Sequence, residues 1–199
     1  MTDETGQSTV RQVSVGSWFS RGWQLIANEL GSFAVLALVY LAAIGVASST
    51  VLGGFIVSGP LTVGFFMILF DKMRGKPVNI STIARGFDYF VAAMLSGILI
   101  GAFTTLGTIF CIIPGLIVAG WYVLTPGFIA EKKLDFWQAM ESSRKAVSGL
   151  GFEMTLFVIL SGLINLAGAL LCLVGLLVTV PLTFAAAAVA YDDLVGVEK

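Results

Sequence analysis

The chain has 199 residues, 57% hydrophobic and 12% charged, with a net charge of -1 and a mean hydropathy of +0.96; soluble domains carry roughly 25% charged residues. This balance excludes an ordinary water-soluble globule, and it excludes the strongly basic surface that nucleic acid requires. With no histidine and two cysteines, imidazole acid-base chemistry, histidine metal centres and a disulfide framework fall away, so no cofactor or metal is expected.

Residues 1–13 read as a flexible tail. Asp3, Glu4 and Glu29 interrupt the first thirty residues, which lack the short apolar core and cleavage site of a removable signal peptide. In SWFSRGWQLIANEL, Phe19, Trp23, Ile26 and Leu30 share a helical face opposite Ser20, Arg21, Gln24 and Asn28. No residue between Glu29 and Asp71 is charged, and the same holds from Asp88 to Glu131 and from Glu153 to Asp192. One helix of about 40 residues would measure roughly 60 Å, twice the ~30 Å hydrocarbon core. Each stretch is therefore expected to double back. Turns are placed at Ser48, Ser49 and Thr50, at Thr104, Thr105 and Gly107, and at Gly168 through Gly175.

Spanning helices are predicted at about residues 30–48, 51–71, 89–106, 109–130, 153–170 and 173–191. Two more short amphipathic segments precede the second and third pairs. In NISTIARGFDYF, Ile80, Ile83, Ala84, Phe87 and Phe90 oppose Ser81, Arg85 and Asp88; in DFWQAMESSRKAV, Phe136, Trp137, Met140 and Val147 oppose Gln138, Glu141, Ser142 and Lys145. Asp135 with Gln138 fits a capping box. The expected fold is all-α and polytopic: three helical hairpins, each preceded by an interfacial helix with Trp18, Trp23 and Trp137 as candidate anchors.

All eleven Lys and Arg residues lie in the termini or the two charged loops, and none in a hairpin tip. The positive-inside rule then places both termini and both loops in the cytoplasm and the chain in the cytoplasmic (inner) membrane.

The phrase Pro-Leu-Thr occurs at Pro60 and again at Pro181, each reaching an aspartate eleven residues later. SRGW at Ser20 resembles ARGF at Ala84, and LGTIFCIIPGLIV at Leu106 resembles AGALLCLVGLLVT at Ala167. FDKM at Phe70 matches AEKK at Ala130 and YDDL at Tyr191. Their common order predicts one membrane domain over 14–195, made of repeats 14–74, 78–133 and 135–195, with a C-terminal tail at 196–199.

Gly45, Ser49 and Gly53, and likewise Gly107, Cys111 and Gly115, have the spacing of small residues that lets membrane helices approach closely. A Cys111–Cys172 disulfide on the outer side is the less favoured alternative to packing. Asn165 is the conspicuous polar residue inside a span, either lining a polar path or bonding a neighbouring helix, with the bond preferred. No ionisable group falls at mid-depth, which argues against a carboxylate-driven pump. Pro60, Pro114, Pro126 and Pro181 read as tolerated kinks before cavity openers. Lys72, Arg74, Lys76, Lys132, Lys133, Arg144 and Lys145 are candidate contacts for anionic headgroups as well as topology signals. Ser142, Ser143 and Lys145 lack the base-activated arrangement a nucleophile needs, so no catalytic residue is identified and an enzyme is not expected.

The GW pair at Gly22, SGP at Ser58, RGKPV at Arg74, IIPG at Ile112, FWQAMESSRK at Phe136 and the closing YDDL resemble uncharacterised bacterial six-helix membrane proteins. Their layout is similar to the membrane domain attached to some glycerophosphodiester phosphodiesterases. The resemblance covers the chain beyond about residue 14 and implies no catalytic or binding residues; the phosphodiesterase barrel is absent, and its activity is not transferred. The expected role is a membrane scaffold or accessory component, with the bilayer and a membrane or cytoplasmic protein as partners. The alternative is a transporter or lipid-handling protein with a path between the repeats.

Overall fold

A computed structural model describes residues 14–49, 53–110, 112–171 and 174–198. The described residues form α1 (Val15–Ala27), α2 (Leu30–Ala47), α3 (Gly53–Met73), a 3-10 helix η1 (Ile80–Tyr89), α4 (Phe90–Phe110), α5 (Ile112–Tyr122), α6 (Thr125–Lys132), α7 (Phe136–Ala146), α8 (Gly151–Leu170) and α9 (Leu176–Leu194), with no strand among them. Among the described residues six stretches are long and apolar enough to cross a membrane: Leu30–Ala47, Ile56–Met73, Ile80–Phe110, Ile112–Lys132, Gly151–Leu170 and Leu176–Leu194. Apolar side chains surround these helices instead of forming one stripe, as a lipid solvent requires. The chain therefore fits a multi-pass membrane protein. The predicted tail at 1–13, the turn at Thr50, and both Cys111 and Cys172 lie outside the described residues.

The ends of α3, α6 and α9 meet at the centre. The Tyr191 ring lies 5.1 Å from Phe70 and 5.0 Å from Phe128. Deeper in the bundle Phe65 and Phe184 stand 4.8 Å apart, and Tyr40 of α2 presents its edge to both at 5.9 and 5.4 Å. Each such aromatic pair is worth about 0.5–1.5 kcal/mol beyond the area it covers. In lipid there is no hydrophobic drive between helices, so close backbone packing must supply the rest. Alanines at 185–188 and 190 are all buried in α9, and α1 lies on this flat strip. A methyl group on Gly22 would sit 2.7 Å from the Ala186 nitrogen. On the other side η1 lies on α3, where a methyl on Gly86 would sit 2.6 Å from the Gly64 nitrogen. α7 packs on α4, α5 and α6.

The structure departs from the sequence expectation at several points. α4 continues through Gly107 to Phe110, past the turn placed at 104–107, because Gly107 lets it abut α5: a methyl there would lie 2.9 Å from the Gly115 Cα. The helix expected over 109–130 is broken at Val123–Leu124 into α5 and α6. Pro126 lacks the N–H that would bond the Tyr122 carbonyl, and the buried Ser143 hydroxyl of α7 donates to the Trp121 carbonyl at 2.7 Å. The segment at 80–89 is a 3-10 helix, so its buried side follows a period of three, with Ile83 and Gly86 inward and Ala84 and Phe87 exposed. The thinner helix lets Gly86 reach Gly64. In α1 the packed residues are Val15, Trp18, Gly22 and Ile26, a face one step round from the expected Phe19–Trp23 line. Asp135 does precede α7, but its carboxylate makes no cap hydrogen bond.

Candidate functional site

The ionic side chains gather where the apolar runs end. Lys72, in the last turn of α3, pairs with Glu29 ahead of α2. The guanidinium of Arg74 pairs with Glu131 of α6 and donates through Nε to the Glu198 carbonyl at 2.7 Å, while the Glu198 N–H donates to Glu131 at 3.1 Å. Asp193 of α9 accepts the Trp18 indole N–H at 2.9 Å and pairs with Arg21 of α1. Asp71 accepts Lys76 at 2.8 Å, and Glu141 holds Arg144 at 2.8 Å and Lys145 at 3.4 Å along α7. Three of these contacts join helices far apart in sequence: α1 to α9, the start of α2 to the end of α3, and α3 to α6 and the tail. The Lys72 ammonium holds the Glu29 carboxyl below its ordinary value, and Arg144 with Lys145 holds that of Glu141 at about 2. Both stay ionised through the neutral range.

Most of the predicted headgroup cations are thus engaged within the chain. Lys72, Arg74, Lys76, Arg144 and Lys145 have carboxylate partners, and Lys132 stands 5.8 Å from the Phe128 ring centre. Lys133 takes no ion pair among the described residues, and its backbone is left-handed at φ 54°; that conformation costs a non-glycine residue about 1 kcal/mol. Of the three candidate anchors, Trp23 and Trp137 are exposed, at 43% and 58%, whereas Trp18 is 1% exposed. Trp18 is an internal clasp and not a surface anchor, because Asp193 takes its N–H and Phe157 covers its ring edge-on at 5.8 Å. The acid pair in YDDL carried the only sequence signal for this partner.

At mid-depth the polar side chains bond one another. The Asn165 amide of α8 donates to the Thr183 hydroxyl of α9 at 3.3 Å, and the Tyr40 and Thr62 hydroxyls lie 3.0 Å apart. A cavity of about 280 Å³ lies beside them, lined by Thr62, Ser161 and Thr183 but mostly by apolar groups such as Phe66, Phe157 and Pro126. The Ser161 hydroxyl and the Asn165 carbonyl oxygen are buried with no hydrogen-bond partner among the described residues.

A second concavity, of about 390 Å³, opens between the start of α4 and the link from α6 to α7. Asp88, Tyr89 and Phe90 line it from one side and Lys133 and Asp135 from the other. The sequence marked Lys133 alone; there Asp88 lay on the polar side of its amphipathic segment and Asp135 read as a helix cap. Among the described residues no group of three or more acidic or thiol side chains could hold a metal ion.

Comparison with known proteins gives a partial match. Over 131 residues, 63% of this chain, the sequence is 30% identical to uncharacterised proteins of Mycobacterium bovis and of Mycobacterium tuberculosis. The matched segment is 38% of those proteins, so the chain spans well under two thirds of the length of the relatives it matches. No family model and no solved structure matches the chain.

Proposed function

We propose that the chain is a multi-pass scaffold or accessory module of the bacterial cytoplasmic membrane, not an enzyme, with both termini in the cytoplasm. Three hairpins form a closed ring in this reading, and the short helix ahead of each docks on the returning helix of the one before it. The carrying observation is the set of small-residue contacts. Gly86 of the second unit touches Pro60 and Gly64 of the first, Gly22 of the first touches Ala185 and Ala186 of the third, and Ser143 of the third reaches Trp121 of the second. Asp71, Glu131 and Asp192 take matching places in the three repeats.

Such a ring closes through backbone-close contacts between units, and within the third unit the Asn165 amide donates to Thr183 while its carbonyl oxygen stays buried. Longer mycobacterial chains share a related segment, which favours a module that works beside other parts. The likeness to the membrane domain of some phosphodiesterases enters as layout only. Reporter fusions after Ser49, Gly107 and Gly168 test the threading: all three should report outside the cytoplasm, and a cytoplasmic signal at any of them defeats it. The cavity beside Ser161 favours a second reading, a lipid-handling or transport path. Asn165→Cys separates the two readings. Protection from water-soluble thiol reagents supports the sealed scaffold, and rapid labelling supports the path.

A further inference from the structure

We propose that the pocket between the start of α4 and the α6–α7 link binds the phosphoethanolamine headgroup of a bilayer phospholipid. The proposal rests on the membrane reading above and goes beyond it by naming a ligand.

The first argument is charge. Elsewhere at this end of the molecule carboxylates and cations satisfy one another, as in Arg21–Asp193, Lys72–Glu29 and Arg74–Glu131. In the pocket of about 390 Å³, the side chains of Asp88, Lys133 and Asp135 take no ion pair or hydrogen bond among the described residues. Asp135 stands at the N-cap of α7 without capping it, so its carboxylate is available to another donor.

The second argument is chemical match. Two carboxylates and one ammonium sum to -1, which repels a purely anionic headgroup such as phosphatidylglycerol. A primary ammonium carries three N–H donors suited to two carboxylates, and its phosphate suits a lysine. A choline headgroup has no N–H to give, so it would leave both aspartates unbonded.

The third argument is depth. Asp88 is the last ionic residue before the apolar run of α4, and Lys133 follows directly on the end of α6. Tyr89 and Phe90 form part of the wall at this boundary, the level at which aromatic residues meet headgroups.

Native mass spectrometry of the full chain in detergent, titrated separately with phosphatidylethanolamine, phosphatidylglycerol and phosphatidylcholine, tests the assignment. Phosphatidylethanolamine should be retained about tenfold better than the other two, the scale of one charge-assisted hydrogen bond. D88N/D135N should abolish that preference and K133Q should weaken it, while E153Q, in the first turn of α8, leaves it intact. Unchanged elution volume and helicity would show that each variant is folded. Equal retention of the three lipids, or a preference that survives D88N/D135N, overturns the assignment. So does equally tight binding of soluble O-phosphoethanolamine, which would make a free solute the ligand. A chain that stays monodisperse without detergent would instead overturn the membrane reading itself, a result distinct from any loss of lipid preference.

Discussion

The helices that come first in each spanning pair and those that come second are solvated differently. In an apolar 18-residue stretch of each span, only 17%, 11% and 17% is buried for the spans ending at Ala47, Phe110 and Leu170, against 50%, 39% and 56% for those ending at Met73, Lys132 and Leu194. The outer set presents large side chains outward, including Leu38, Val91, Ile98, Leu163 and Leu166, all exposed. Alanine, glycine and hydroxyl residues are no rarer in the outer set; what marks the inner set is that its small residues are enclosed, with the buried run at 185–190 as the extreme case. In water the most apolar helix would go to the middle. Here lipid tails solvate leucine as well as another leucine does, and the middle goes to helices that can approach closely.

The sharpest way to break this contrast is to add bulk. Gly22→Leu and Gly86→Leu push a side chain into the backbone of α9 or α3, where overpacking costs about 1–3 kcal/mol or more. Loss of the monodisperse peak in size-exclusion chromatography is expected for both. Gly45→Leu and Gly162→Leu, on outer helices with nothing within 4 Å of the added carbon, should elute as the parent does. An outer substitution that proves equally damaging would end the inner–outer distinction.

A smaller effect is expected from charge. Glu131 is only 6% exposed in its side chain, and Glu131→Ala removes one partner of Arg74, which keeps Asp71 and the Glu198 carbonyl, at a cost of about 1–2 kcal/mol. Glu153→Ala, in the first turn of an outer helix, should cost below about 1 kcal/mol; thermal unfolding in detergent compares the two. Asn165→Ala removes one interhelical hydrogen bond between the sets, about 0.6 kcal/mol on the same assay.

The least effect concerns pH. The Glu141 carboxyl titrates at about 2 in the folded chain against an ordinary 4.5. Its contribution is fully present above pH 4.5 and lost as pH falls through 2. Carboxyl NMR should therefore show Glu141 still ionised at pH 3.5, and a midpoint near 4.5 would show that the α7 ion pairs do not form in solution.

The spanning stretches were legible because charge is so costly in hydrocarbon that Glu29, Asp71, Asp88, Glu131, Glu153 and Asp192 bracket them in the sequence. Which face of a short helix packs was less legible. Trp18 finds its partner 175 residues away, and periodicity carries no information about Asp193. The 3-10 winding at 80–89 depends on the meeting of Gly86 and Gly64, a tertiary fact. The break at Val123–Leu124 was marked by Pro126, but the hydroxyl that bonds the Trp121 carbonyl there, Ser143, belongs to another helix and was weighed in the sequence only as a nucleophile without an activating base. The pocket at Asp88, Lys133 and Asp135 unites two segments that sequence analysis had treated separately.

The clasp between Trp18, Arg21 and Asp193 also sets a timetable. Its two halves emerge from the ribosome 175 residues apart, an interval of roughly nine to thirty-five seconds at translation rates of about 5–20 residues per second. Throughout that interval the glycine-lined flank of the first helix has been made but its alanine counterpart has not. Biogenesis must therefore shelter an unfinished seam, and premature termination anywhere before the last helix would yield a product inserted in the bilayer yet left open.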